Sequence, residues 1–164
     1  MEKDMIAGKT VSEVQVTIER ADKADLQKIL DLQYLAYQSE AKLFHNPDIP
    51  PLKQTLAELE NEYQNGIVLK AVDENNTIIG SVRARCDGRT VFIGKLMVHP
   101  KLQGQGIGTQ LLLAMEEEYP KHRYELFTSS KSIKNIKIYQ TSGYRIFREE
   151  KITDELTFVY LEKD

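Results

Sequence analysis

The stretch VHPKLQGQGIGTQLL, residues 98–112, carries the most specific chemical signal in this sequence. Gly104, Gly106 and Gly108 fall within five consecutive positions, directly before a leucine-rich run that predicts a helix. The first N–H groups of a helix have no acceptor inside the helix, and its dipole adds roughly half a positive charge at that end. Glycines allow an anionic group to approach these donors closely. The stretch therefore predicts a cradle for a diphosphate.

Other loop types fit these residues less well. A dinucleotide fingerprint has the spacing G-x-G-x-x-G, whereas this chain has G-x-G-x-G followed by Thr109. A Walker loop needs Gly-Lys-Ser/Thr, which does not follow the glycines. A strand-to-helix turn without a ligand would need only one glycine. The diphosphate cradle is the favoured interpretation.

The segment before the loop is predicted to begin with one strand and two helices. VQVTIERA alternates apolar and polar residues as a strand from Val14, and Asp22 caps a helix that extends to about Ser39. EAKLFHNPDIPP, residues 40–51, is predicted to be a loop because of its prolines. A second helix then opens at Pro51 and ends near Gly66.

Strands dominate the rest of the chain. IVLKAV, TIIGSVRARC and TVFIGKLMV are consecutive strands, and the glycine loop leads from the third into a helix. The strand YELFT, the helix SIKNIKIYQTS and the strands YRIF and LTFVYL follow. The strand, helix and strand around the loop form a crossover, so those two strands are expected to be parallel, and the hairpin strands before them antiparallel. The fold class is therefore α/β, a mixed twisted sheet with helices on both faces.

Composition narrows the classes of partner. With 164 residues, 41% hydrophobic and 29% charged, the chain is expected to form one globular domain over residues 14–164 after a flexible extension at residues 1–13. The net charge of −3 provides no basic field, so neither nucleic acid nor a membrane is an expected partner. Cys86, the single cysteine, excludes an internal disulfide and a cysteine-rich zinc site. We expect a cytoplasmic protein without a signal peptide and without a metal.

The loop and the element order resemble the GCN5-related N-acetyltransferase (GNAT) superfamily. Its acetyl-coenzyme A signature, Gln/Arg-x-x-Gly-x-Gly/Ala, is matched by Gln103, Gly106 and Gly108 after a strand that ends in LMVHP. A second feature of the family is a helix with a tyrosine four residues before a Gly-aromatic pair, here Tyr139 and Gly143-Tyr144. The resemblance covers nearly the whole chain and implies a mostly antiparallel sheet with a central parallel pair.

The resemblance implies direct transfer of acetyl from acetyl-CoA to an amine. A backbone N–H of Met97 or Val98 would stabilise the oxyanion where the fourth strand separates from the fifth at a bulge. Tyr139 matches the general acid of the family, which protonates the leaving thiolate; a core aromatic residue is the alternative. The residues implied in coenzyme binding are Met97, Val98, Gln103, Gly104, Gln105, Gly106, Ile107, Gly108, Thr109, Asn135 and Tyr139.

The sequence departs from the family pattern at two positions. The family often has an asparagine seven residues before the tyrosine; here Ser132 stands there, so either Ser132 or Asn135 is expected to contact the pantetheine. The family often has a glutamate as general base where this chain has Lys95. A base or a water relay must come from elsewhere, and the candidate residues are Tyr37, Glu40, His45, Asp48 and, less favoured, His99.

The acceptor is the least determined part. Arg83 and Arg85 share one face of a strand, and if they line the acceptor site an acidic acceptor, such as an amino acid, becomes more plausible. Lys131, Lys134 and Lys137 are expected to form a solvated face in preference to a contact with the 3′-phosphate. Specificity is expected to lie in residues 34–64. The rival functions are a non-catalytic acyl-CoA sensor and a purely structural domain. Family members often pair through their sheets or C-terminal strands, so a homodimer is one expectation.

Overall fold

A computed structural model describes residues 15–164 of this chain. The predicted extension at residues 1–13, together with Val14, lies outside the described residues. Within them one sheet has the strand order β1-β2-β3-β4-β5-β7-β6. The strands are β1 Thr17–Arg20, β2 Ile67–Val72, β3 Ile78–Cys86, β4 Thr90–Val98, β5 Arg123–Ser129, β6 Arg145–Lys151 and β7 Thr157–Lys163.

The helices connect and cover this sheet. They are α1 Leu26–Ala36, α2 Gln38–Leu43, α3 Pro50–Lys53, α4 Leu56–Gln64, α5 Ile107–Glu118 and α6 Ile133–Thr141, with short 3-10 helices at Lys23–Asp25 and Pro100–Leu102. Among residues 15–164, no helix has both the length and the apolar composition needed to cross a bilayer.

The pairing confirms the predicted fold class. Strands β4 and β5 pair in parallel across the crossover formed by α5, while the other neighbouring strands pair antiparallel. The parallel pairing consists of three residue pairs, Thr90↔Arg123, Val91↔Tyr124 and Phe92↔Glu125. Beyond Phe92 the two strands are no longer paired, so a gap opens inside the sheet.

Each face of the sheet has its own apolar core. The larger core joins α5 to the strands through residues such as Leu111 and Leu69, and Tyr139 on α6 belongs to it. The smaller core joins α1 and α4 to the opposite face through Leu26 and Val68. Because Val68 and Leu69 are consecutive in β2, their side chains point to opposite faces. This arrangement agrees with the prediction of helices on both faces.

Two predictions about the helices before β2 are wrong. The first helix ends at Ala36, not Ser39, and part of the predicted loop at residues 40–51 is helical because α2 continues after a break at Tyr37. The second predicted helix is divided into α3 and α4. Thr55 causes the division, because its Oγ1 accepts from Glu58 N at 3.2 Å while Glu58 Oε1 accepts from Thr55 N at 2.8 Å. This capping box starts a new helix.

Candidate active site

The glycine loop ends in a helix start whose N–H groups are available. Gly106 is the N-cap of α5, with φ of 83°, and Gln110 N donates to its carbonyl at 3.0 Å. The N–H groups of Ile107, Gly108 and Thr109 find no acceptor among residues 15–164. A glycine cap offers no side chain to satisfy them, so three donors face outward at the positive end of the helix.

The space around the glycines also suits a ligand. Gly104 and Gly106 have positive φ values of 81° and 83°, and a Cβ atom on either would meet nothing within 4 Å. Gly108 has ordinary helical geometry, and a Cβ there would lie 3.8 Å from side-chain atoms of Ile138 and Val98. These are normal van der Waals distances, so the packing of the protein itself does not require glycine at position 108.

The edge of β4 provides further main-chain donors beside the loop. His99 N donates to Ile79 O at 2.8 Å, and Met97 pairs with Ser81, so the N–H groups of Met97 and His99 point toward β3. Alternation along a strand turns the N–H of Val98 to the other side, into the gap next to β5. Of the two residues predicted to bind the thioester oxygen, the geometry favours Val98. The N–H of Leu96, two residues earlier in the strand, points the same way as that of Val98.

A bulge precedes these donors. Between the pairs Arg83↔Gly94 and Ser81↔Met97, β4 has one more residue than β3. Lys95 takes up the extra length with φ of 52°, a left-handed conformation that is uncommon outside glycine. The bulge bends β4 where its pairing with β5 has already ended, and it directs the Lys95 side chain toward α4.

Tyr139 on α6 lies near Tyr37 and Glu40, which belong to the segment formed by α1 and α2. It is 6% exposed, and its hydroxyl has no hydrogen-bond partner among the described residues. Burial raises the pKa of Tyr139, and the neighbouring Tyr37 and Glu40 raise it further. The same carboxylate of Glu40 accepts a hydrogen bond from Ser132 Oγ at 2.6 Å. The fold therefore joins residues that lie about a hundred positions apart.

A second polar cluster is buried around Arg83. Arg83 is 5% exposed; its Nε donates to Glu62 Oε1 at 2.7 Å, and its Nη2 donates to Gln33 and Gln54 at 2.8 and 2.7 Å. Tyr34 Oη donates to the Gln54 carbonyl. Arg83 Nη1 is buried and has no partner among residues 15–164. Burial lowers the pKa of Arg83, while Glu62 counteracts this.

Two adjoining cavities meet at the bulge. One, of about 690 Å³, lies along α3 and α4, and the other, of about 530 Å³, lies over β3, β4 and β5. Glu62 and Lys95 line both cavities, and Arg83 lines the second. Burial lowers the pKa of Lys95, as does the charge of Arg83, with Glu62 opposing them. Lys95 occupies the position where the family often has its base.

The other predicted residues lie as follows. Gln103, Gly104 and Gln105 are exposed on the loop, and Asn135 is half-buried on α6. His99 Nδ1 accepts from Lys101 N at 3.1 Å and so caps the short 3-10 helix, which suits a structural role.

Two of the candidate bases lie on the surface. His45 and Asp48 are both exposed, and Asp48 pairs with Lys53 at 3.3 Å. Lys131 also has a partner, since it pairs with Glu155 at 3.3 Å and lies over the Phe44 ring. Tyr37 and Glu40 remain as candidate bases near Tyr139.

Sequence reasoning missed Gln33, Gln54, Glu62 and Leu96. Gln33 and Glu62 lie on helices and Gln54 lies between two helices, where charged and amide side chains are common, so no local pattern marks them. Leu96 could have been found, because strand alternation from Val98 selects it once the bulge is placed before it.

The comparisons with known proteins identify the family. Residues 35–164 match the family model described as the acetyltransferase (GNAT) domain, and this chain belongs to that family. A comparison with curated protein sequences gives no match.

Solved structures share the fold at low identity. The ribosomal-protein-S18-alanine N-acetyltransferase of Escherichia coli has a TM-score of 0.75 at 13% identity, over 91% of this chain and 93% of that one. PaiA N-acetyltransferase of Thermoplasma acidophilum, in complex with coenzyme A, has a TM-score of 0.73 at 16% identity, over 92% and 99%. YncA of Salmonella typhimurium, with its cofactor acetyl-CoA, has a TM-score of 0.69 at 23% identity, over 90% and 92%.

Proposed function

We infer that this protein is an N-acetyltransferase that moves the acetyl group of acetyl-CoA directly to a primary amine of a small molecule or peptide. The observation that carries this is the start of α5, where the N–H groups of Ile107, Gly108 and Thr109 have no acceptor among residues 15–164. A Cβ at Gly108 would lie 3.8 Å from Val98 on β4 and from Ile138, the neighbour of Tyr139 on α6, so these three elements meet here. The membership in the GNAT family and the coenzyme complexes of the structural neighbours support the same reaction.

The coenzyme is held mainly by the main chain. Its diphosphate accepts from the N–H groups of Ile107, Gly108 and Thr109, and its pantetheine lies along the open edge of β4. The Val98 N–H, next to this edge, donates to the thioester oxygen. Each charge-assisted hydrogen bond contributes about 1.5–3 kcal/mol, so a few are sufficient for micromolar affinity.

The acetyl transfer needs one base and one acid. The acceptor nitrogen attacks the thioester carbon, Glu40 takes the proton of that nitrogen, the carbon–sulfur bond breaks, and Tyr139 protonates the sulfur. The proton on Glu40 then returns to Tyr139, which restores both groups. The raised pKa of Tyr139 keeps its hydroxyl protonated until the transfer. An amine of pKa ~10 is only about one part in a thousand neutral at pH 7, so the acceptor ammonium first releases one proton to water, and Glu40 takes the second during attack.

Replacing Tyr139 with phenylalanine tests the acid. We expect Tyr139→Phe to lower kcat, measured as release of free thiol with a panel of amines, by about a hundredfold or more. Thermal stabilisation by acetyl-CoA is expected to be unchanged. Tyr144→Phe is the matched control, because Tyr144 is also buried but its hydroxyl is bonded to Glu116 Oε2 at 2.8 Å. Equal rates for the two variants would remove Tyr139 from the mechanism.

An acyl-CoA sensor is the second candidate, and Lys95 at the usual position of the base is the observation that favours it. Thermal stabilisation by acetyl-CoA and release of free thiol separate the candidates. A sensor is stabilised by acetyl-CoA but releases no thiol with any amine, whereas a purely structural domain is not stabilised at all.

A further inference from the structure

The charged residues around the two cavities are not balanced. The three carboxylates that line them are already engaged: Glu58 with Thr55 N at 2.8 Å, Glu62 with Arg83 at 2.7 Å, and Glu125 with Arg123 at 2.8 Å. Lys95 lies within 4.0 Å of no carboxylate among residues 15–164. A positive charge is left where the cavities meet.

The other charged groups on these walls do not compensate for it. Lys53, on α3, is paired with Asp48 at 3.3 Å. Arg85, on β3, is exposed and lies over the Phe92 ring at 4.4 Å. Neither residue brings a negative charge to Lys95. Burial lowers the pKa of Lys95 most, and the positive charge of Arg83 lowers it further. An anion in this place would therefore be attracted to Lys95 and would stabilise its charged form.

Arg83 supplies a second, independent sign of a missing partner. Its Nε and Nη2 are fully used by the cluster, but the buried Nη1 has two N–H groups and no acceptor among the described residues. Buried polar groups in folded proteins almost always have a partner, so an unpaired guanidinium nitrogen in the wall of a cavity needs an explanation. A carboxylate fits, since its two oxygens accept from a guanidinium and an ammonium at the same time.

The anion site adjoins the reaction centre. Gln33, which accepts from Arg83 Nη2 at 2.8 Å, and Glu40, which accepts from Ser132 Oγ at 2.6 Å, lie seven residues apart on α1 and α2. The segment from α1 to α2 therefore connects the Arg83 cluster to the proposed base. A molecule with its carboxylate at Arg83 and its amine at Glu40 would lie along this segment.

We propose that the acceptor is an amine that also carries a carboxylate, of the amino-acid type, whose carboxylate binds Arg83 Nη1 and Lys95 Nζ. This rests on the proposed acetyl transfer, which supplies the amine end of the molecule. Acceptors with two or more cationic groups are disfavoured, because Lys95 and Arg83 repel a second ammonium.

The test compares amino acids with their carboxamides. The probes are the twenty common L-amino acids, β-alanine and γ-aminobutyrate, each with its carboxamide, at equal concentrations of neutral amine. For the preferred acid we expect kcat/KM about tenfold or more above that of its amide, since the amide loses a charge-assisted bond. Binding is measured separately by isothermal titration in the presence of coenzyme A, with the same preference expected.

Charge variants localise the effect. Lys95→Glu should remove the preference for the acid, and Lys95→Arg should keep it. Lys53→Glu is the matched control, because it also lines a cavity but is paired with Asp48; it should leave the preference intact. The preference should fall as the pH rises through the lowered pKa of Lys95, where the ammonium is lost, and in Lys95→Arg it should persist to higher pH.

The outcomes separate the two proposals. Turnover with equal rates for acids and amides overturns the carboxylate site and leaves the transferase standing. Preferential binding of acids without any thiol release supports the carboxylate site while the transferase fails. If no acid binds better than its amide, or if Lys95→Glu keeps the preference, the carboxylate site is wrong.

Discussion

The candidate active site has a coenzyme end that uses main-chain groups and an acceptor end that uses side chains. At the coenzyme end, the groups that point outward are main-chain N–H groups of the loop, the start of α5 and the edge of β4. At the acceptor end the polar groups are side chains that come from four separate elements, namely Gln33, Glu40, Glu62 and Arg83. A main-chain site depends on where glycines stand, whereas a side-chain site depends on which elements meet.

This difference explains why one end suits a constant ligand and the other a variable one. Any residue except proline supplies an N–H group, so we expect most substitutions outside the glycines to leave the coenzyme end nearly unchanged. At the acceptor end one substitution changes charge or shape directly, as Lys95 does at the position where the family often has a glutamate. Specificity can therefore change there without loss of the donor molecule.

The largest expected effect is a loss of stability when the acceptor end loses Arg83. Arg83→Met removes the centre of the buried cluster and leaves Glu62, Gln33 and Gln54 without their shared partner. We expect the free energy of unfolding, measured by urea denaturation, to fall by about 3 kcal/mol. Arg85→Met is the control on the same strand, and as an exposed residue it should cost less than about 1 kcal/mol. An unchanged midpoint for Arg83→Met would contradict the structural role of the cluster.

The next effect concerns the proposed base. Glu40→Gln keeps the acceptor atom for Ser132 Oγ but removes the negative charge beside Tyr139. We expect kcat/KM to fall about a hundredfold while stabilisation by acetyl-CoA stays the same, because only proton transfer is affected. Asp48→Asn, another candidate base that is exposed, serves as the control and should retain full activity. If Asp48→Asn is the slower variant, the base has been assigned to the wrong residue.

The smallest effects probe the coenzyme end. Gly106→Ala forces a Cβ into a conformation with φ of 83°, which costs about 1–2 kcal/mol of stability. Gly88→Ala at the β3–β4 turn, with φ of 100° and open space around it, should cost a similar amount. Calorimetry with coenzyme A separates them: only Gly106→Ala should also lose affinity, by about tenfold.

Gly108→Ala separates coenzyme affinity from stability more clearly, because the protein can accommodate a Cβ at this position. Its stability should change by no more than about 1 kcal/mol, toward greater stability, since alanine is the better helix former. Its affinity for coenzyme A should nevertheless fall. Equal affinity of the Gly108→Ala and unsubstituted proteins would mean that the diphosphate does not approach this position.

The comparison also explains what could be predicted from the sequence. The helix start at Gly106, the parallel pair and the positions of β2 to β7 follow from glycines, prolines and alternating residues that are near one another in the chain. The Arg83 cluster could not be predicted, since Gln33 and Arg83 are fifty positions apart and neither has a local marker. The same holds for Ser132 and Glu40, which are ninety-two positions apart.

The division of the second predicted helix has a local cause in the sequence. The sequence Thr55-x-x-Glu58 is a capping box, which predicts that a new helix begins at Leu56. The spacing of the prolines and leucines alone does not indicate this helix start. The continuation of helix into α2 was harder to see, because the residues of EAKLF were assigned to a loop on account of prolines that come later.

The short pairing between β4 and β5 divides the sheet into two leaves, β1–β4 and β5–β7, that share three residue pairs. Arg83 and Lys95 belong to the first leaf, whereas Tyr139 and Ser132 follow the second. The two walls of the proposed acceptor pocket therefore belong to different leaves. Under the proposed function, a coenzyme in the gap between the leaves would contact both of them, so we expect it to bind before the acceptor.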